Sequence, residues 1–77
     1  MKLEVGQIFN KNGKEYCVLE LLSFNNKEYV LFSVESTKLD YLFYEIISQH
    51  DDYRLNLVTD NMELYELMNK VGGNKDE

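Results

Sequence analysis

Two segments that resemble each other decide the fold: Phe9-Asn10-Lys11-Asn12-Gly13-Lys14-Glu15-Tyr16-Cys17-Val18-Leu19 and Phe24-Asn25-Asn26-Lys27-Glu28-Tyr29-Val30-Leu31. In each, an aromatic strand end runs into a polar turn, followed by Lys-Glu-Tyr and an apolar strand. Asn-Gly between apolar flanks is a strong hairpin signal, because both central residues of the tight turn need positive φ. The N-terminal half therefore reads as consecutive antiparallel strands. With only two copies, the similarity does not make a solenoid, and shared turn chemistry accounts for it.

Working outward, Val5 to Asn10 reads as a first strand and Glu15 to Phe24 as a second. The second is apolar on both faces, with Cys17, Leu19 and Leu21 on one and Tyr16, Val18, Leu22 and Phe24 on the other. Such a strand is normally central and covered twice. Glu20 interrupts the even face, which either a bulge or an exposed sheet end would explain. Glu28 to Glu35 reads as a third strand, Ser36 to Asp40 as a loop, Tyr41 to Gln49 as a fourth strand and His50-Asp51-Asp52 as a turn. Tyr53, Leu55 and Leu57 alternate with Arg54 and Asn56, the pattern of a half-buried strand or an edge strand.

The period then changes. Asp60 with Glu63 resembles a capping box. Leu64, Leu67, Met68 and Val71 fall at i, i+3, i+4 and i+7, one stripe of a helix over about residues 61–71. Gly72-Gly73 supplies a stop. The expectation is one α+β domain over residues 1–72: an antiparallel meander of about five strands, which could curl into a partial barrel, packed by one C-terminal helix. Residues 73–77 read as a disordered tail.

Composition narrows the function classes. The chain has 77 residues and net charge −6, from fourteen acidic and eight basic side chains. That balance argues against a nucleic-acid surface, which needs clustered Lys and Arg, and against anionic membranes. No apolar run approaches the roughly 20 residues that span a bilayer. The charged start, Met1-Lys2-Leu3-Glu4, is unlike a signal peptide. The single cysteine, Cys17, forms no internal disulfide and fits a reducing compartment. A cytoplasmic setting is expected.

The catalytic inventory is thin. His50 is the sole histidine and lies in a turn; Cys17 lies mid-strand, where a thiol acts as a small hydrophobe. The two together are the nearest thing to a nucleophile–base pair. One Cys and one His build no zinc site, and Asp51, Asp52 and Asp60 lack calcium-loop spacing. The glycines match no phosphate-binding fingerprint. No cofactor and no enzymatic role are expected. Aromatic residues are more informative: six Tyr and four Phe is a dense set for this length. Tyr41 and Phe43 share a face with Glu45, opposite Leu42, Tyr44 and Ile46. A single helix cannot cover both faces of that strand, so one meets solvent, another chain or the far wall of a partial barrel. Tyr41, Phe43, Glu45 and Tyr29 are the expected protein-contact surface.

Gly13-Lys14-Glu15-Tyr16-Cys17-Val18-Leu19, Lys27-Glu28-Tyr29-Val30-Leu31 and Leu57-Val58-Thr59-Asp60-Asn61-Met62-Glu63-Leu64 together resemble the small acidic bacterial domain family of unknown function called YrzB-like. The resemblance implies a β-rich domain with a C-terminal helix, from a bacterium or its mobile elements. It transfers no catalytic or ligand residue, and the family's strongly acidic inserts are missing here. The leading expectation is a non-enzymatic, cytoplasmic protein-interaction module that binds a protein partner or forms a homodimer, without direct nucleic-acid or membrane contact. The alternative is an acidic phage or mobile-element antagonist that mimics nucleic acid, which requires its carboxylates on one surface.

Overall fold

The structure is a computed structural model and describes residues 3–73. Strands β1 (Ile8–Lys11), β2 (Lys14–Phe24), β3 (Lys27–Glu35), β4 (Leu39–Gln49) and β5 (Asp52–Leu57) precede helix α1 (Asn61–Gly73). Every neighbouring pair is antiparallel and the sheet order is β1-β2-β3-β4-β5, so β1 and β5 are the edges. The meander and the C-terminal helix expected from the sequence are both present, and the sheet is curled into a half-barrel.

Local chemistry explains the turns. Asn12 and Gly13 close the first hairpin at φ 53° and 76°, and Asn25 and Asn26 close the second at 55° and 63°. These are the residue types that reach the left-handed region at low cost. His50 does the same at φ 51° between β4 and β5. A Cβ built on Gly13 meets nothing within 4 Å, so the penalty expected for a β-carbon there comes from the positive φ. Gly13→Val is expected to cost about 1–3 kcal/mol. Urea titration checks this, and unchanged stability would show that the turn relaxes to another type.

The first strand is shorter than expected. Val5 and Gly6 belong to a turn, with Gly6 at φ 94° and Gln7 N–H donating to the Glu4 carbonyl over 3.1 Å. This turn throws Leu3 back over the sheet, where it is buried. The fourth and fifth strands each start slightly earlier than expected, at Leu39 and Asp52.

Glu20 marks a β-bulge, one of the two explanations its sequence position allowed. Val18 pairs with Phe32 and Glu20 with Leu31, leaving Leu19 as the extra residue. The bulge reverses the alternation beyond it. Leu21 therefore joins the face of Val18, while Leu22 and Phe24 move to the opposite one. This corrects the strict alternation read from sequence. One strand thereby feeds two separate cores.

The first core contains Leu3, Val18, Val30, Phe32 and Val34, flanked by Tyr16, Leu42, Tyr44, Ile46, Tyr53 and Leu55. The second contains Tyr29, Phe43, Val58 and Leu67, with Leu22, Phe24, Leu31, Leu64 and Val71 packed on it. The helix thus seals the second face only. Asp60 caps it, its Oδ2 accepting from the Glu63 N–H at 2.9 Å. Leu64, Leu67 and Val71 face the sheet as the stripe requires. Met68 does not: it is 61% exposed and lies with Met62 and Tyr65 on the outer side of α1. The helix extends to Gly73, past the expected end near residue 71. The tail expected to be disordered lies, from residue 74 on, outside the described residues.

Candidate functional site

The face not covered by α1 is the inner face of the half-barrel. Neighbouring strands in a sheet lie about 4.8 Å apart, so rings on β1 and β3 of a flat sheet would sit about twice that distance apart. Phe9 on β1 and Phe32 on β3 instead have centroids 6.4 Å apart. Tyr16 and Tyr44 also meet the Phe32 ring edge-to-face, at 5.7 and 5.5 Å. The result is an aromatic trough floored by Phe32, running between the open edges β1 and β5.

Two hollows lie along this trough. One, of about 410 Å³, touches all five strands, through Phe9, Tyr16, Phe32, Tyr44, Tyr53 and Leu55. The other, of about 690 Å³, lies towards the β2–β3 and β4–β5 turns and is lined by Leu21, Ser23, Ile46 and Ser48 together with Glu28, His50, Asp51 and Asp52. Leu3 and Tyr53 border both. The larger hollow is therefore acidic at its end, whereas Lys11 contributes the charge at the smaller one. Burial, and secondarily the neighbouring Tyr16, raises the pKa of Tyr44, so the trough phenol stays protonated.

Of the contact surface expected from the sequence, only part is accessible. Tyr29 and Phe43 are 1% and 6% exposed, in the core beneath α1. They alternate as expected with the Leu42, Tyr44 and Ile46 face, but α1 packs on their side. Tyr41 remains 61% exposed at the far end of β4, and Glu45 is half-buried beside the Tyr29 rung. The residues that line the trough carried one usable signal, the second apolar face of β2 and β4.

Tyr29 ties the sheet to the helix. Its hydroxyl donates to Glu63 Oε2 at 2.5 Å, in the first turn of α1. Burial first, then this hydrogen bond and the carboxylates of Glu63, Glu45 and Glu66, push its pKa far above the ordinary value of 10.0. The folded state therefore holds this proton more tightly than the unfolded chain. The associated stability is complete below pH 10 and is lost as pH rises above it. Urea titrations from neutral pH into the alkaline range should show a steeper loss in the parent chain than in Tyr29→Phe. Parallel curves would contradict the assignment.

Cys17 and His50 are not brought together. Cys17 pairs with Ile8 and Ser33 near the β1–β2 end, whereas His50 occupies the β4–β5 turn at the opposite end of the sheet. Among the described residues no group of three or more His, Cys, Asp or Glu is placed to hold a metal ion. No described helix is long and apolar enough to cross a membrane. Comparison with protein-family models, with curated proteins and with solved structures finds no match to this chain.

Proposed function

We propose that this chain is a non-enzymatic protein-interaction module and that the trough of the half-barrel is its binding surface. One observation carries the proposal: the sheet stops short of closure and leaves an aromatic interior open between its edges. The smaller hollow, mostly apolar with a few polar groups, has the usual form of a recognition site, and the larger one adds polar and acidic groups beside it. The same proposal includes a cytoplasmic setting, a protein partner or second copy, no direct contact with nucleic acid and kinship with YrzB-like domains. Nucleic-acid mimicry is less well supported. The register puts Glu15, Glu20, Glu35 and Glu45 on the face that packs α1, and Glu28 and Asp40 on the trough face. These carboxylates do not share one surface.

A photo-crosslinking residue placed at Leu21, in the trough, should yield an adduct of defined mass in cells. The same residue at Tyr65, on the outer side of α1, should not. Adducts from Tyr65 alone, or turnover of a metabolite by the purified chain, would overturn the proposal.

A further inference from the structure

We propose that the trough is filled by strand addition. An extended segment of a partner protein pairs antiparallel with the open edge of β5, sends alternate apolar side chains into the trough and ends in lysine or arginine beside Glu28 and the His50–Asp52 turn. This rests on the trough being the binding surface and specifies its ligand.

The phase of the β5 backbone favours such a ligand. Val58 N–H donates to the Phe43 carbonyl on β4 at 3.0 Å. Amides alternate in direction along an antiparallel strand, so those of Arg54 and Asn56 also turn towards β4 and those of Leu55 and Leu57 towards the open edge. Tyr53 N–H agrees with this phase, since it is held by Asp52 Oδ1 at 2.8 Å instead of by β4. An exposed row of backbone groups is a template for another strand. Among the described residues, two of the usual protections, proline and a bulge, are missing from β5. It has no proline, and its register with β4 runs from Gln49–Asp52 to Tyr44–Leu57 without a shift. Of its two charged residues, Asp52 stands at its start and Arg54 points away from the trough. Tyr53 and Leu55 line the trough. A strand added beside them continues the same apolar surface, as in β-augmentation generally.

Charge sets the direction of the ligand and its source. β5 begins at the acidic hollow, so an antiparallel segment arrives there with its C-terminal end. Glu28, Asp51 and Asp52 border that hollow and favour a cation. A second copy of this chain is a poorer fit. Two symmetric β5 edges would place the Leu57 end of one against the acidic end of the other, and each chain carries net charge −6.

The test uses a synthetic peptide of alternating valine and threonine ending in two lysines. It should bind, and it should slow hydrogen exchange of the Leu55 and Leu57 amides by about tenfold or more. N-methylation of the peptide amides on the pairing edge should abolish binding. Replacing its lysines by glutamates should weaken binding by about tenfold, and Glu28→Gln with Asp52→Asn should remove most of that preference. Several results would overturn strand addition: equal binding by the N-methylated peptide, unchanged Leu55 and Leu57 exchange at saturation, or no binding at all. Protection of the same amides in a peptide-free dimer would assign the edge to a second copy and overturn the proposal too. If the Leu21 cross-link forms while these tests fail, the trough remains the binding surface and only its ligand is wrong.

Discussion

Phe32→Ala is expected to remove about 3–5 kcal/mol of stability. Phe32 is 3% exposed and occupies the middle of β3, the central strand. Its ring receives Phe9, Tyr16 and Tyr44 edge-to-face, and each such pair contributes about 0.5–1.5 kcal/mol beyond the area it buries. Truncation leaves a cavity that the backbone of a central strand cannot close. A small domain has only about 5–10 kcal/mol in hand, so much of the variant should be unfolded at physiological temperature. Phe32→Leu retains most of the volume, and a loss near 1–2 kcal/mol keeps the comparison measurable if the alanine variant does not fold. Chemical denaturation followed by circular dichroism reads both. A loss below about 1 kcal/mol in the alanine variant would show that the trough floor is not a packed core.

Leu67→Ala should cost about 2–5 kcal/mol. Leu67 is 0% exposed and packs against Tyr29, Phe43 and Val58, the contacts that fix α1 to the sheet. Its chain neighbour supplies the control. Met68 is 61% exposed, and Met68→Ala should change stability by no more than about 0.5 kcal/mol. Both variants change the intrinsic helix preference little, so the contrast isolates tertiary packing. Equal effects at the two positions would mean that the helix is rotated about its axis from the orientation described.

The elements were legible because local chemistry and global fold agree. Asn-Gly and Asn-Asn demand the left-handed turns that the hairpins contain, and Asp60 caps the helix that its position announces. The bulge was half legible. Glu20 flagged it, but the reversal of Leu21 and Leu22 follows from register, which only the pairing of β2 with β3 reveals. Met68 lies outside the packed stripe because it stands at the stripe's flank, about 100° round the helix from the fully buried Leu67, and spacing alone does not tell which flank the sheet reaches.

The site was harder to read for the same kind of reason. Alternation separates Tyr41, Phe43 and Glu45 from Leu42, Tyr44 and Ile46, but it carries no information about which face the chain crosses after β5. The helix crosses on the side of Phe43, and that single choice buries Tyr29 and Phe43 and leaves Tyr16, Tyr44 and Tyr53 around the open trough.

The most direct measurement is a map of chemical-shift changes in the isotope-labelled chain, titrated with the purified partner identified from the Leu21 cross-link. The account predicts changes concentrated at Leu21, Phe32, Tyr44, Tyr53 and Leu55, the inner wall of the half-barrel. Changes confined to Met62, Tyr65 and Met68, on the outer side of α1, would contradict it.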